Sequence, residues 1–239
     1  MRGRQALDLF CGCGGVAAAF RRRGVQCCEY DLKRGPQFDL TSDKVARGIE
    51  NRIQKGEVVA CMLAPPCSSF SIATDRVAVV RTRRHPWGVP NMSAADHARV
   101  LLGNKCAKAA IRIIRKLDEH HVPWILEQPL SSNMWRLPFF QRVQHKSHLS
   151  FLRVHQCQYG RRWKKATGLL CSRVDEFDAQ RVSKTCQGRN GICSRTNLSH
   201  IQLLGGRMTK LAEPYPKALC DHLAYVLLGD WRLKRTGVP

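Results

Sequence analysis

The sequence predicts a doubly wound α/β fold with a mostly parallel sheet and a small irregular C-terminal lobe. Two observations predict this class. Short apolar runs alternate with segments of helical periodicity through about the first two thirds of the chain, with glycine or proline near the junctions. Beyond residue 148 the periodicity weakens, and cysteines, glycines and charges dominate residues 172–200. Alternating strands and helices are typical of parallel sheets covered by helices on both faces.

Each element has its own local signal. Residues 5–10 form an apolar run that ends at a glycine cluster, and the helix predicted over 16–23 is closed by Gly24. Residues 72–103, rich in arginine, proline and glycine, are predicted to be a loop. The other predicted elements are strands over 25–28, 58–63, 122–126, 151–156 and 166–171 and helices over 42–55, 105–121 and 216–228.

These elements divide the chain into three predicted parts. Residues 1–150 form an α/β core, residues 151–212 form a small reduced lobe, and residues 213–239 return to the core as a helix. We expect the protein to be a monomer.

Composition limits the class of protein. A hydrophobic content of 44% and a charged content of 24% are those of a globular domain, and no apolar run approaches the roughly 20 residues of a membrane span. Asp8 interrupts any apolar core of a secretory signal, so we expect an intracellular protein, in the nucleus or the cytoplasm. The 12 cysteines then read as thiols or metal ligands rather than disulfides.

The charge balance indicates a polyanionic partner. The chain has 40 lysines and arginines against 18 acidic residues, a net charge of +22, which favours nucleic acid over a small-molecule substrate. Two basic runs lie beside tryptophans, which suits stacking on bases next to phosphate contacts. From these runs we predict nucleic-acid contacts by Arg81, Arg83, Arg84, Arg161 and Arg162.

Cys67 is the candidate nucleophile. Pro65 and Pro66 cannot continue a strand ladder, so the strand 58–63 must end there and present Cys67 on a stiffened turn. Open α/β sheets bind ligands at this carboxyl end of their strands. We expect a nearby cation or a helix N-terminus to lower the pKa of such a thiol.

A glycine-rich turn between the first strand and the first helix predicts a nucleotide site. Residues 8–15 (DLFCGCGG) allow a tight turn beside a helix N-terminus, but they are neither a G-x-G-x-x-G fingerprint nor a P-loop. Glu29 follows the second strand, where a carboxylate can accept both hydroxyls of a ribose. A nucleoside cofactor without a required phosphate contact fits both features.

Three motifs, in this order, resemble those of the cytosine-C5 DNA methyltransferases. Residues 8–15 are similar to the family's cofactor motif, PPC at 65–67 with FS at 70–71 to its catalytic loop, and EQP at 127–129 to its Glu-Asn motif. The resemblance covers residues 7–167 and implies a Rossmann-like methyltransferase fold with S-adenosyl-L-methionine as methyl donor. The donor-binding residues that it implies are Phe10, Gly12, Gly14, Glu29, Asp39 and Pro65.

The same resemblance implies a reaction. Cys67 adds to carbon 6 of a cytosine that has flipped out of the duplex, and Glu127 holds its Watson–Crick edge. Lys165 stands in the register of the family's Arg-x-Arg motif, and Ser71 is placed near the nucleic acid. Gln128 replaces the family's asparagine, and Thr167 its second arginine. DNA is the expected substrate; RNA, or nucleic-acid binding without catalysis, are the alternatives.

The C-terminal lobe contains potential zinc ligands. The resemblance implies that residues 151–212 correspond to a reduced target-recognition region. Cys171, Cys186, Cys193 and His200, with His155 and Cys157 just upstream, could hold Zn²⁺ in this lobe, which has no evident core. No C-x-x-C pair is present among them, so free thiols and no metal are the favoured interpretation.

Overall fold

The structure is a computed structural model that describes residues 3–72 and 78–229. In these residues six strands form one sheet: β1 (Gln5–Leu9), β2 (Cys27–Tyr30), β3 (Val58–Leu63), β4 (Trp124–Pro129), β5 (Leu149–His155) and β6 (Ala166–Ser172). The α-helices over the same ranges are α1 (Gly15–Arg22), α2 (Asp43–Gln54), α3 (Ala94–Glu119), α4 (Pro138–Val143), α5 (Glu176–Val182), α6 (Gly205–Leu211) and α7 (Lys217–Leu228).

The sheet has the order β2-β1-β3-β4-β6-β5. The first four strands are parallel, and β6 runs antiparallel to both of its neighbours, β4 and β5. This topology confirms the predicted mostly parallel, Rossmann-like sheet. The chain leaves β1 toward β2 on one side and returns to β3 on the other, so a crevice opens where the loops after β1 and β3 diverge.

Alternating side chains of the strands feed two hydrophobic cores, one on each face of the sheet. In β1, Leu7 and Leu9 join the core with α2 and α3, whereas Ala6 joins the core with α1 and α7. In β3, Leu63 joins the core with α2 and α3, and Met62 joins the core with α1 and α7. Because successive side chains of a strand point to opposite faces, helices cover both sides and the fold is doubly wound.

The predicted elements agree with the structure most closely in the core. The strand over 58–63 has the predicted bounds, while β2 begins two residues later than predicted. The predicted start of the long helix was wrong, because α3 begins at Ala94 rather than at residue 105. Ser93 caps that helix by accepting the Asp96 N–H at 3.1 Å, and this Ser-x-x-Asp pattern was the missed signal.

Because α3 begins at Ala94, the loop predicted over 72–103 ends before that residue. Residues 73–77 of this loop lie outside the described residues. Three short helices, α4, α5 and α6, were not predicted. Across residues 3–72 and 78–229 no helix combines the length and the apolar character needed to cross a membrane.

Asp8 lies at the end of β1 and connects the sheet to the first helix. Its carboxylate is buried and accepts the Ala17 N–H of α1 at 2.9 Å. Burial raises the pKa of Asp8 to about 7, although the hydrogen bond from Ala17 opposes the shift. The folded protein therefore binds this proton more tightly than the unfolded chain does.

Asp8 should make stability depend on pH. A carboxyl whose folded pKa lies above its unfolded pKa loses stabilisation as the pH rises between the two values, here from about 4 to about 7. We expect Asp8→Asn to remove a slope on the order of 1 kcal/mol per pH unit in that window. Urea unfolding of both proteins from pH 4.5 to 8 measures it, and parallel profiles would contradict the assignment.

Candidate active site

The loop after β3 presents Cys67 at the carboxyl edge of the sheet. The backbone carbonyl of Cys67 accepts the N–H groups of Phe70 at 2.9 Å and Ser71 at 2.8 Å, which closes a single turn. Cys67 itself is half-buried, and Pro65 before it is buried. The two prolines and this turn hold the thiol in place where the strand ladder stops.

Gln128, at the end of β4, fastens this loop to the neighbouring strand. Its buried side chain donates from Nε2 to the Pro65 carbonyl at 2.5 Å, and its Oε1 accepts the Ser132 hydroxyl at 3.0 Å. Glutamine in place of the family's asparagine thus still reaches the cysteine loop. Both ends of the amide are satisfied inside the protein, which makes the connection specific.

Glu127 lies beside Gln128, and burial and two neighbouring side chains shift the pKa of its carboxyl. Burial raises the pKa of the Glu127 carboxyl, while the Lys165 ammonium and a hydrogen bond from the Tyr215 hydroxyl oppose that rise. Burial and the Glu127 carboxylate raise the pKa of Tyr215 in turn. The Lys165 ammonium also donates to the Ala212 carbonyl at 2.6 Å, which secures the segment before α7.

The pKa of Cys67 differs from the expectation. Burial raises it above the ordinary value for a thiol, the Glu127 carboxylate raises it further, and Lys165 only partly offsets both. The predicted lowering was therefore wrong, because burial and the Glu127 carboxylate outweigh the Lys165 ammonium. These electrostatic effects indicate that the side chains of Cys67, Glu127 and Lys165 lie close to one another.

The glycine loop after β1 borders a pocket at the crevice. Phe10, Gly12 and Gly14 all have positive φ, at 56°, 53° and 71°, which only the glycines adopt without strain. The Gly12 N–H donates to the Asp31 carboxylate at 2.8 Å. A pocket of about 380 Å³ is lined by Asp8, Phe10, Gly12, Lys33, Ala64 and Tyr215, among other residues.

The two acidic residues predicted to bind the cofactor already have protein partners. The Glu29 carboxylate is ion-paired with Arg21 through one oxygen and with Arg34 through the other. It also lies so close to Gly14 that a Cβ there would overlap it. Asp39 accepts both the N–H of Thr41 at 2.9 Å and its hydroxyl at 2.8 Å. Their contacts with a cofactor stay predictions.

Arg81 corrects the prediction of a nucleic-acid contact at that position. Its side chain is buried, and it donates to the Ser69 and Pro86 carbonyls at 2.8 and 2.7 Å. The guanidinium also stacks on the Phe70 ring, 3.7 Å from its centroid. Arg81 therefore holds the loop after Cys67 in place, because its donors are used by backbone carbonyls.

The other predicted nucleic-acid contacts divide by exposure. Arg83, Arg84 and Arg162 are exposed, whereas Arg161 is half-buried and donates to the Pro214 carbonyl at 3.1 Å. Ser71 is half-buried next to the Cys67 turn. The exposed arginines remain available to phosphates in this structure.

The structure also corrects the grouping of the cysteines. Cys171 lies in β6 with its thiol buried in the core of the α1 and α7 face, where it cannot meet the other three residues. Cys157 takes its place beside Cys186, Cys193 and His200. Strand alternation determines where Cys171 points, whereas spacing along the chain does not.

Comparison with known proteins adds little to this description. No family model and no curated protein matches the sequence. Among solved structures, a methyltransferase of Entamoeba histolytica, EhMeth, is similar with a TM-score of 0.43 and 10% identity, over 84% of this chain and 58% of that one. This chain thus spans less than two thirds of that protein, and the Rossmann-like class rests on the sheet topology described above.

Gln128 should be important for stability. Gln128→Ala leaves the buried Pro65 carbonyl without its partner, so we expect a loss of about 1–3 kcal/mol in the free energy of unfolding. Gln141→Ala is the matched control, because Gln141 is exposed and donates to the Trp135 carbonyl. It should cost about 0.5 kcal/mol or less in urea unfolding. Equal losses in the two variants would contradict the role of Gln128.

The coupling of Cys67 predicts opposite effects of two substitutions. Glu127→Gln removes a charge that raises the pKa of Cys67, so its alkylation by iodoacetamide should reach half-maximal rate at lower pH. Lys165→Met should shift the midpoint to higher pH. Peptide mass spectrometry measures the rate at Cys67, with the exposed Cys13 in the same digest as reference. Shifts of the same sign would refute the coupling.

Proposed function

We propose that this protein is an S-adenosyl-L-methionine-dependent DNA cytosine-C5 methyltransferase. One observation carries the proposal: Cys67, Glu127 and the glycine loop meet at the carboxyl edge of a Rossmann-like sheet, and the thiol and the carboxyl are electrostatically coupled. The motif resemblance supplies the reaction type, and the geometry supports it.

The pocket beside the glycine loop fits a nucleoside methyl donor. Its volume of about 380 Å³ lies in the range of small-molecule sites, and it lies at the crevice where such sheets bind ligands. No neighbouring atom occupies the space that a Cβ of Gly12 would take, so a ligand can approach the backbone there. Phe10, Gly12, Gly14 and Pro65 would hold the donor, Glu29 its ribose and Asp39 its adenine. The donor supplies an electrophilic methyl group on a sulfonium centre.

The chemistry assigned to this chain's own residues begins at Cys67. Its thiolate forms a bond to carbon 6 of the cytosine, and the electron pair of the 5,6 double bond moves toward carbon 5. Glu127 gives a proton to N3 and so stabilises the adduct. After carbon 5 is methylated, a base removes the proton from carbon 5, the bond between sulfur and carbon 6 breaks to regenerate the Cys67 thiolate, and N3 returns its proton to Glu127.

The raised pKa of the Glu127 carboxyl suits its role, because a more weakly acidic carboxyl holds a proton that it can give to N3. When Glu127 is protonated, it no longer raises the pKa of Cys67, and Lys165 remains as the nearby charge that favours the thiolate. Protonation of the acid therefore helps to activate the nucleophile.

The substrate is proposed to be nucleic acid on the basis of charge. A net charge of +22 attracts a polyanion, and Arg83, Arg84 and Arg162 are exposed. A cytosine stacked in a duplex is inaccessible to a half-buried thiol, so the base must leave the helix. An RNA substrate would use the same site, and the experiment below tests RNA separately.

Covalent trapping tests this proposal. Incubation with S-adenosyl-L-methionine and duplex DNA that contains 5-fluorocytosine should give a covalent adduct, because fluorine cannot leave carbon 5 as a proton does. Cys67→Ala should abolish it, and Glu127→Gln should slow it by roughly 10²–10⁴-fold. The control Cys171→Ala removes a thiol buried in the hydrophobic core, outside the cofactor loop and the Cys67 loop, and should keep the wild-type rate.

The outcomes separate the alternatives. Adduct on single-stranded RNA but not on DNA would reassign the substrate to RNA. An adduct that survives Cys67→Ala would overturn the nucleophile. Absence of adduct on either substrate, with the donor bound in calorimetry, would overturn the enzymatic function.

A second candidate is a nucleic-acid-binding protein on the same fold without catalysis. The observation in its favour is that Arg21 and Arg34 occupy both carboxylate oxygens of Glu29. If these ion pairs persist, the protein should bind DNA with a strong salt dependence but show no heat of donor binding. The titration with S-adenosyl-L-methionine distinguishes the two candidates.

A further inference from the structure

Three cysteines and one histidine converge at one point away from the Cys67 site. Cys157 belongs to the turn that follows β5, while Cys186, Cys193 and His200 come from the stretch between α5 and α6. Their four ligand atoms all lie within 4.8 Å of one another. The three cysteines are buried, and His200 is half-buried. Chain segments separated by about thirty residues therefore meet with four metal-binding atoms facing each other.

The spacing of these atoms is that of a tetrahedral zinc site. With Zn–S near 2.3 Å and Zn–N near 2.0 Å, tetrahedral geometry requires a sulfur-to-nitrogen separation of about 3.6 Å. The Sγ of Cys186 lies 3.7 Å from the Nε2 of His200. A Cys₃His set is one of the usual ligand sets of structural zinc.

Backbone N–H groups point at two of the sulfurs. The Ser194 N–H donates to the Cys186 Sγ at 3.3 Å, and Gly188 contributes a further backbone hydrogen bond. The N–H groups of Arg195 and Thr196 do the same for Cys193. Such N–H···S contacts favour the thiolate, which is the form that binds metal.

The third cysteine, Cys157, is buried next to the other two. Three thiolates packed this closely repel each other unless a cation lies between them. A divalent ion would remove that repulsion and would release the remaining thiol protons on binding.

The surrounding segment has little else to hold it together. Its hydrophobic cluster consists of the three cysteines alone, and Ile192 and Leu198 beside them are 37% and 57% exposed. Within the described residues between α5 and α6, the pairing is limited to one isolated bridge from Ile192 to Ser199 and a few loop hydrogen bonds. Gly188 packs so tightly on the Ile192 carbonyl that a Cβ there would overlap it. A short segment without a core usually needs a cross-link to stay folded.

We propose that Cys157, Cys186, Cys193 and His200 bind one Zn²⁺ ion that fastens the segment between α5 and α6 to the end of β5. Four protein ligands leave no open position, so the site is structural rather than catalytic. The Ile201 N–H donates to the Arg162 carbonyl at 2.9 Å, so the fastened segment adjoins the exposed basic run around Arg162. The proposal does not depend on the methyltransferase activity.

Metal analysis of the full-length protein tests this site. We expect one zinc per chain after dialysis against metal-free buffer under reducing conditions, measured by plasma mass spectrometry. Cys157→Ser and Cys193→Ser should each reduce the bound zinc by about tenfold or more. Cys171→Ala is the matched control, because it removes a buried cysteine outside the cluster and should retain the full equivalent. Zinc lost only in the control would overturn the ligand assignment.

A second measurement avoids variants that fail to fold. Wild-type protein stripped with a chelator and titrated with Co²⁺ under reducing conditions should develop the intense visible bands of tetrahedral cobalt and a thiolate-to-metal band in the near ultraviolet. One equivalent of Zn²⁺ should abolish both. Absence of these bands would overturn the proposal.

Discussion

The position of the candidate active site depends on one buried side chain, the amide of Gln128. It connects the end of β4 to the Pro65 carbonyl and is itself held by Ser132. Glu127 immediately precedes Gln128, and Cys67 lies two residues after Pro65. The hydrogen bond from Gln128 to Pro65 therefore sets where the Glu127 carboxyl lies relative to the Cys67 thiol. A buried carbonyl left without a donor costs more than the hydrogen bond contributes, so alternative loop positions are disfavoured.

A second layer of the site is electrostatic and comes from the far end of the sequence. Lys165 precedes β6, and Tyr215 precedes α7, yet both act on Glu127. The Lys165 ammonium also donates a hydrogen bond to the Ala212 carbonyl. Lys165 therefore both supplies the positive charge that favours a thiolate and holds the segment that leads to Tyr215. Burial raises the pKa values of both Cys67 and Glu127, and the Glu127 carboxylate raises that of Cys67 further, so the protonation of one affects the other.

The twelve cysteines illustrate how environment assigns different chemistry to one residue type. Burial raises the pKa of Cys61 and Cys171 in the core, and they act as small apolar side chains. Cys67 lies half-buried on a constrained turn beside an acid and a base. In Cys186 and Cys193, backbone N–H groups favour the thiolate. Such contacts suit the zinc site proposed above.

The sequence alone determined the fold class and the order of the main motifs. Strand β3 and the prolines after it are local features, since apolar runs and fixed φ values act within a few residues, and the three motifs could be recognised in order for the same reason. The tertiary structure decided which distant groups meet: Tyr215 with Glu127, Cys157 rather than Cys171 in the cysteine cluster, and Arg81 inside rather than on the surface. Such contacts join residues that chain spacing does not relate, because they depend on strand order and on which face each side chain occupies.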